Sequence, residues 1–277
     1  MKAIILAAGQ GKRLLPLTQN IPKCLVSLAG KTILDHAFSS LNIAGVTDIT
    51  VVTGYRADKI SEKGIVTRHN PAFESTNMVY SLFCAEDLMS SDDLLIVYGD
   101  IIFAPSAISA LMSDPAPFSV GVNTKWRELW NIRMEDPLTD AESLKIDPRG
   151  NIFEIGNPAS SYKDIDGQYM GLLLIRKRVL PAIRNFYHSK NHQSGHCSKD
   201  FRTMYMTDFV QAVIDELMPV KSVLIDGGWI ETDTKTDIEA YQKYPQVFSF
   251  LEMPKKKIPK LKGVIDLKRP NSVRKTN

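Results

Sequence analysis

Residues 2–14 read KAIILAAGQGKRL. The first five of them are almost continuously apolar, which predicts a strand buried on both faces of a parallel sheet. The next seven, AAGQGKR, form a loop in which two glycines let backbone N–H groups approach a phosphate and two alanines keep that approach clear. The stretch therefore predicts a phosphate-binding loop at the end of a central strand.

Two standard phosphate-binding motifs do not fit this loop. A Rossmann fingerprint needs a third Gly or Ala near Leu14, and a Walker sequence that ends at Gly30-Lys31-Thr32 needs a glycine in place of Leu25. The loop instead ends in two cations, Lys12 and Arg13, which suit a triphosphate whose charge must be neutralised during a reaction. A plain strand-to-helix turn is the remaining alternative. The glycines, the two cations and the Pro22-Lys23 pair that follows them occur together, which argues against a plain turn.

Strands and helices alternate along the first part of the chain. Thr32 to Ala44 has the apolar spacing of a helix, with Thr32 as its cap and Gly45 as its stop, and Asp48–Thr53 and Leu94–Tyr98 are typical of buried strands. This alternation predicts an α/β fold with a doubly wound sheet. Further strands predict mixed pairing beside a predominantly parallel, Rossmann-like core, and they cover residues 118–122, 143–146, 151–155 and 168–175.

The composition is that of an ordinary globular protein. The 277 residues are 44% apolar and 23% charged, which excludes collagen-like, disordered and disulfide-rich classes. The net charge of +3 is unevenly placed, because Pro254 to Asn277 holds nine basic residues and one acidic residue, or +8, which leaves −5 for the rest. We predict one domain over residues 1–252 and a basic, flexible tail over residues 253–277. Contact of this tail with anionic lipid, a partner subunit or nucleic acid is the alternative.

Cysteine usage and hydropathy predict a cytoplasmic protein. The three cysteines are widely spaced and odd in number, which favours reduced thiols over a disulfide framework. The chain has no apolar run of about 18 residues, so we expect neither a membrane span nor integral membrane association. No motif typical of nucleic-acid binding is present, and the sequence leaves the oligomeric state open.

The loop and the Pro-Lys pair together resemble the signature of nucleotidyltransferases that make nucleoside-diphosphate sugars and CDP-alcohols, LAAGxGxRL followed by PK. Residues 77–82, NMVYSL, resemble the phosphocholine cytidylyltransferase branch, and the middle of the chain is similar to cytidylyltransferases that act on small phosphorylated acceptors such as phosphoglutamine. The chain lacks the Glu-Lys-Pro that the sugar branch carries after residue 150. The resemblance implies the nucleotide-diphospho-sugar transferase fold and a role in capsule or cell-surface polysaccharide modification.

The resemblance also implies catalytic roles. Arg13 is expected to bind the β- and γ-phosphates, and Lys23 the α-phosphate and the acceptor phosphate. Asp100 follows a predicted strand and matches the first metal aspartate, while Asp233 matches the second, so both are expected to hold Mg²⁺. A turn aspartate without a ligand is the alternative for Asp100. The rivals of Asp233 are Asp226, Glu231 and Asp237, of which Asp237 is better explained as a helix N-terminal residue.

Substrate-binding residues are predicted near the carboxyl edge of the sheet. The nucleotide set is Leu6, Ala7, Ala8, Gly9, Gln10, Gly11, Lys12, Gly54, Tyr55, Asn77 and Ser81, although Ser81 is equally well explained as a hydroxyl bonded within its own helix. The acceptor set is Trp126, Trp130, Tyr169 and Trp229, for which core packing is the alternative. A group of acidic residues could bind an acceptor amine or lie on a solvated loop, and it comprises Glu135, Asp136, Asp140 and Glu142.

Three functions are compatible with these patterns. The first is a Mg²⁺-dependent cytidylyltransferase that joins CTP to a phosphocholine- or phosphoglutamine-like acceptor and releases pyrophosphate. The second is a sugar-1-phosphate nucleotidylyltransferase that makes a nucleoside-diphosphate sugar. The third is a catalytically silent nucleotide-binding regulator, and the joint presence of Arg13, Lys23, Asp100 and Asp233 argues against it.

Overall fold

The computed structural model describes residues 1–191 and 201–251. Its strands, numbered in chain order, are β1 Lys2–Ala7, β2 Ser27–Leu28, β3 Lys31–Thr32, β4 Asp48–Thr53, β5 Thr67–His69, β6 Leu94–Tyr98, β7 Ile101–Phe103, β8 Phe118–Asn123, β9 Glu142–Ile146, β10 Asn151–Pro158, β11 Gln168–Ile175, β12 Val220–Ile225 and β13 Trp229–Glu231. Its α-helices are α1 Ile33–Ile43, α2 Ala57–Ser61, α3 Met78–Phe83, α4 Pro105–Ser113, α5 Trp126–Arg133, α6 Leu180–Asn191, α7 Met206–Glu216 and α8 Lys235–Lys243. The predicted tail, residues 253–277, lies outside the described residues, and the domain bounds stay a prediction.

One large sheet carries the fold. Among the described residues it has nine strands in the order β5-β4-β1-β6-β11-β8-β12-β10-β9. The first four pair in parallel, and β8 is parallel to β12, whereas β11 runs antiparallel to both of its neighbours and β10 antiparallel to β9 and β12. The predicted doubly wound, Rossmann-like mixed sheet with a parallel core is confirmed.

The first strand is apolar throughout because helices cover both faces of the sheet. Ala3 and Ile5 point into a core formed with α1, α4, α5 and α8, whereas Ile4 points into a second core formed with α3, α6 and α7. All three side chains are buried. A strand covered on both sides has no polar face, and this is the physical reason for the continuous run.

Helix ends follow the sequence closely at α1 and less closely at α3. The Thr32 side chain accepts a hydrogen bond from the Asp35 N–H at 3.0 Å, and Gly45 takes a positive φ of 86° just after the helix, as predicted. The sequence predicts a helix over Met78 to Leu88 with Thr76 or Asn77 as its cap, whereas α3 begins after Asn77 and ends at Phe83, and a short 3-10 turn covers Glu86–Leu88.

A small strand pair that the sequence does not predict joins two distant parts of the chain. β7 follows β6 directly, and β13 pairs with it antiparallel, so that Glu231 lies opposite Ile101. One residue beyond the pair, the Thr232 N–H donates to the Asp100 carbonyl at 3.1 Å. The pair therefore brings the chain around residue 233 to the carboxyl end of β6.

None of the helices within residues 1–191 and 201–251 combines the length and the apolar character that a bilayer crossing needs.

Candidate active site

The phosphate loop and the Pro-Lys pair form one structural unit. Gly11 has a φ of 73°, and a Cβ at this position would lie 2.9 Å from Cβ of Lys23. The Leu14 N–H and the Thr18 hydroxyl both donate to the Gly11 carbonyl, at 2.9 and 2.8 Å. Glycine is required here for both reasons, the left-handed backbone and the contact with the stem of Lys23.

Two more glycines allow the loop to pack closely against the ends of the neighbouring strands. A Cβ on Gly99 would lie 2.6 Å from the Leu6 carbonyl oxygen, and one on Gly54 would lie 2.6 Å from the Ala8 carbonyl oxygen. The Gly99 N–H donates to the Leu6 carbonyl and the Tyr55 N–H to the Ala8 carbonyl, both at 2.9 Å. The backbone groups of Ala8 and Tyr55, two residues predicted to bind the nucleotide, thus bond to each other.

Arg13, Lys23, Asp100 and Asp233 come together as a group that we term the charged cluster. Lys23 Nζ lies 2.8 Å from Oδ2 of Asp100 and 2.7 Å from Oδ1 of Asp233, and an Arg13 guanidinium nitrogen lies 3.2 Å from the same Asp233 oxygen. The Lys23 side chain is 14% exposed, whereas that of Arg13 is 64% exposed. Arg13 thus pairs with Asp233 from the solvent side, and Lys23 is held between two carboxylates.

Mutual pairing keeps Lys23 and Asp233 charged. Burial alone lowers the pKa of Lys23, but Asp100 and Asp233 outweigh it and raise that pKa above its ordinary value. Burial raises the pKa of Asp233, but Lys23, Arg13 and Arg133 outweigh it and hold that pKa below its ordinary value. Lys23 is therefore an ammonium and Asp233 a carboxylate throughout the neutral pH range.

The rivals of Asp233 have other surroundings. Asp226 is 76% exposed and lies 4.0 Å from Lys125. Asp237 forms a capping box with Thr234 at the start of α8, as its predicted helix N-terminal role requires. Glu231 receives a hydrogen bond from Arg133, and burial raises the pKa of Glu231 to about 8. Of the four candidates, Asp233 is the one that shares Lys23 with Asp100.

A pocket of about 150 Å³, termed the nucleotide cavity, lies beside the phosphate loop. Five predicted nucleotide residues line it, together with Asp100, and these are Leu6, Ala8, Gly9, Asn77 and Ser81. The other six predicted nucleotide residues lie within the loop or beside it and do not line the cavity. They are Ala7, Gln10, Gly11, Lys12, Gly54 and Tyr55.

Two polar side chains of the nucleotide cavity already have partners in the fold. The Asn77 side-chain oxygen accepts the Met78 N–H at 2.9 Å and so caps α3. The Ser81 hydroxyl donates to the Asn77 carbonyl at 3.2 Å and accepts from the Asn70 amide at 2.9 Å. The alternative considered for Ser81, a hydroxyl bonded within its own helix, is thus present in the structure.

A second pocket, of about 220 Å³, adjoins the first and is termed the acceptor cavity. Met78 and Tyr98 line both pockets, and Arg13 and Asp233 bring the charged cluster into the second. The remaining acidic and aromatic lining consists of Asp140, Glu142, Glu231, Trp130, Tyr169 and Tyr205. Four acidic side chains therefore share this lining with one cation, Arg13, and one of the four, Asp233, also pairs with Lys23.

The predicted acceptor set divides between the cavity wall and the core. Trp130 and Tyr169 line the acceptor cavity. Trp229 stacks on Trp130 at a ring distance of 5.9 Å and donates its indole N–H to the Met170 carbonyl at 2.9 Å, and Trp126 packs edge-on against Trp130. Trp126 and Trp229 are buried, so core packing is the correct description of both, and they support the wall that Trp130 forms.

Arg133, Tyr205 and Gln168 were not predicted. Tyr205 and Gln168 line the acceptor cavity, while Arg133 lies behind it with its guanidinium among Glu231, Asp233 and Asp237. A buried arginine at the end of a short amphipathic helix gives no local sequence signal. The partners of Arg133 lie about a hundred residues away along the chain, which no spacing rule detects.

Comparison with known proteins agrees with this geometry. A sequence profile of the MobA-like NTP transferase domain matches residues 3–198. A CTP:phosphoglutamine cytidylyltransferase of Campylobacter jejuni is 38% identical over 251 residues, 86% of this chain and 98% of that protein. A glucose-1-phosphate thymidylyltransferase of Streptomyces griseus is 25% identical over 260 residues, 86% of this chain and 64% of that protein.

Among solved structures, the inositol-1-phosphate CTP transferase from T. maritima superposes with a TM-score of 0.69. Its sequence identity is 23%, and the match covers 90% of this chain and 95% of that one. The likeness confirms the predicted nucleotide-diphospho-sugar transferase fold.

Proposed function

Since this chain belongs to the MobA-like NTP transferase domain family and is a nucleotidyltransferase, we propose that it transfers the cytidylyl group of CTP to a small phosphorylated acceptor. The products are a CDP-linked molecule and pyrophosphate. The C. jejuni relative, named a CTP:phosphoglutamine cytidylyltransferase, supports both the choice of base and the class of acceptor.

The charged cluster is the observation that carries this proposal. Asp100 lines the nucleotide cavity, Asp233 and Arg13 line the acceptor cavity, and Lys23 contacts both aspartates. A triphosphate in the first cavity and an acceptor phosphate in the second meet at this cluster. It is the place where negative charge concentrates during a phosphoryl-group transfer, and two cations are held there.

The chemistry needs positioning and charge neutralisation rather than proton abstraction. An oxygen of the acceptor phosphate attacks the α-phosphorus of CTP, and the bond to the pyrophosphate oxygen breaks. Since the attacking phosphate is already ionised near neutral pH, no general base is required. Lys23 binds oxygens of the two reacting phosphates, and the exposed Arg13 binds the β- and γ-phosphates with its planar fork.

The donor groups of Asp100 and Asp233 suit Mg²⁺. Lys23 Nζ lies within 2.8 Å of an oxygen of each carboxylate, so both oxygens face one position that favours a cation, and Lys23 would yield this position to Mg²⁺ when it binds the phosphates. Mg²⁺ that also binds phosphates is usually held by oxygen atoms of one or two carboxylates. Bound there, Mg²⁺ would neutralise charge on the triphosphate.

The lining of the acceptor cavity supports an acceptor that carries a cationic nitrogen. Asp140 and Glu142 are acidic side chains of its wall, and Trp130 and Tyr169 give it aromatic faces. Carboxylates and aromatic rings both attract an ammonium group, whereas a neutral hexose gains nothing from the charge. A phosphocholine-like or phosphoglutamine-like acceptor therefore fits the proposal better than a sugar 1-phosphate.

We expect the protein to act in the cytoplasm, where nucleoside triphosphates are available. Cys24 and Cys84 are free thiols in the structure, which agrees with a reducing compartment. An activated, CDP-linked product would serve capsule or cell-surface polysaccharide modification.

A substrate panel tests the proposal. CTP, UTP, GTP, ATP and dTTP are each combined with phosphocholine, phosphoglutamine, aminoethylphosphonate and hexose 1-phosphates, and pyrophosphate release is measured. We expect release with CTP and an amine-bearing acceptor. Release confined to UTP or dTTP with a hexose 1-phosphate would contradict the proposal and favour the sugar branch. Nucleotide binding without turnover in any combination would favour a silent regulator.

A further inference from the structure

Arg133 lies outside both cavities, yet it contacts an aspartate of the charged cluster from the protein interior. We propose that Arg133 is a positioning residue that fixes the Asp233 carboxylate in the orientation needed to bind a divalent cation. This inference rests on the proposed function, because it assigns Asp233 to a cation that accompanies the nucleotide.

The guanidinium of Arg133 is surrounded by acidic side chains, three of which come from the segment 231–237, while Asp140 lies 4.0 Å away. The Arg133 side chain is 1% exposed. Nε donates to Asp237 Oδ1 at 3.0 Å, one terminal nitrogen donates to Glu231, and the other lies 3.4 Å from oxygens of both Asp233 and Asp237. The donors of the planar fork are thus divided among three acidic side chains, an arrangement that a lysine cannot reproduce.

The two oxygens of Asp233 face different partners. Oδ1 lies 2.7 Å from Lys23 and 3.2 Å from Arg13, whereas Oδ2 lies 3.4 Å from Arg133. A contact at one oxygen restricts the orientations that are open to the other. Arg133 therefore keeps Oδ1 turned toward the position that the charged cluster offers to a cation.

Asp237 transmits the same restraint to the backbone. Its Oδ2 accepts the N–H groups of Asp233 and Thr234, each at 2.8 Å. Since Arg133 also holds Asp237, it fixes the main chain of residue 233 as well as its carboxylate. Mutation of a partner that holds a ligand in this way commonly weakens metal binding by about 10- to 100-fold.

Arg133 also supplies the positive charge that the segment needs. Glu231, Asp233 and Asp237 are drawn together by β13 and the start of α8, and all three contact this guanidinium. Burying several carboxylates without a counter-charge is strongly unfavourable. With Arg133 in place, the Asp233 carboxylate is held in position before any substrate arrives.

The test compares Arg133→Lys with the matched control Arg127→Lys. Arg127 is on the same helix but is exposed and lies over the Tyr162 ring. Binding of Mn²⁺ in the presence of CTP, without acceptor, is followed by water proton relaxation, which separates enzyme-bound from free Mn²⁺–CTP. We expect Arg133→Lys to bind Mn²⁺–CTP about 10- to 100-fold more weakly and to need correspondingly more Mg²⁺ for half-maximal turnover. The control should match the wild type.

The outcomes separate positioning from structural support. A melting temperature that falls while Mn²⁺–CTP affinity stays at the wild-type value would overturn the inference. If Arg133→Lys does not fold, Asp237→Asn probes the same restraint with one carboxylate oxygen replaced, and wild-type Mn²⁺–CTP affinity in that variant would overturn it equally. A wild type that releases no pyrophosphate in the substrate panel would instead overturn the proposed function.

Discussion

The nucleotide cavity and the acceptor cavity are built in opposite ways. The first lies beside a loop whose position depends on backbone contacts, because Gly11, Gly54 and Gly99 let main-chain atoms and the stem of Lys23 approach at distances that a Cβ would block. The second is shaped by side chains from distant segments, with acidic and aromatic groups along its wall. The phosphate loop, whose conformation depends on one short motif, thus adjoins an acceptor cavity whose lining residues lie far apart in the sequence. We infer that the first determines the chemistry and the second the choice of acceptor.

The largest loss of activity is expected from substitution of Asp100, which lines the nucleotide cavity. Asp100→Asn removes a charge from the position shared with Asp233 and Lys23, so Mg²⁺-dependent pyrophosphate release should fall below detection. Asp226→Asn is the matched control, since Asp226 is an exposed aspartate away from the charged cluster, and it should leave activity unchanged. Wild-type turnover in Asp100→Asn would remove Asp100 from the cation site.

Lys23 joins the two cavities, and its loss should affect turnover more than binding. Without its ammonium, the reacting phosphates lose a fixed cation, so kcat of Lys23→Ala should fall by about 100- to 1000-fold. CTP should still bind, because the loop backbone remains, and isothermal titration calorimetry measures this. A variant with normal kcat, or one that has lost only CTP affinity, would show that the role assigned to Lys23 is wrong.

Gly11→Ala tests whether the loop and Lys23 are one unit. The new methyl group would lie 2.9 Å from Cβ of Lys23 and would sit at a φ of 73°. Gly64→Ala has the same kind of strain, at a φ of 71°, with no atom within 4 Å of the added Cβ. Both should lose about 1–2 kcal/mol of unfolding free energy in denaturant titrations, but only Gly11→Ala should also lose kcat. Equal kinetic behaviour of the two variants would contradict the coupling.

The smallest effect is expected at the acidic wall. Glu142 lines the acceptor cavity and Glu135 does not, although the two are close in sequence and Glu135 is exposed. Glu142→Gln should raise KM for an amine-bearing acceptor about tenfold, the loss expected for a hydrogen bond to a charged group, while KM for CTP stays unchanged. Glu135→Gln should change neither value. If both variants behave alike, Glu142 takes no part in acceptor choice.

The difference between contiguous and scattered residues also explains how much of the structure the sequence could predict. The loop, the first strand and the cap at Thr32 follow from contiguous residues, and each lies where the pattern predicts it. The pairing of β7 with β13 depends on two three-residue strands far apart in the chain, too short to show a period of their own. Trp126 and Trp229 show the limit of residue type as evidence, because an indole suits a core as well as a binding site.

The buried network around Arg133 shows a further limit. Asp237 was recognised as a helix N-terminal residue because a capping box is a local pattern, and the structure has that box. Its second role, as the acceptor that links Arg133 to the Asp233 backbone, depends on tertiary contacts between α5 and α8. Local rules therefore identified the residues of this segment but not the arginine that orients them.

A competition experiment tests the central claim most directly. Equal amounts of CTP, UTP and dTTP are incubated in one solution with phosphocholine, phosphoglutamine and glucose 1-phosphate, and the products are identified by mass spectrometry and ³¹P NMR. The account predicts a CDP-linked product of one of the two nitrogen-bearing acceptors, with pyrophosphate formed in equal amount. A UDP- or dTDP-glucose product, with CTP left unconsumed, would contradict it.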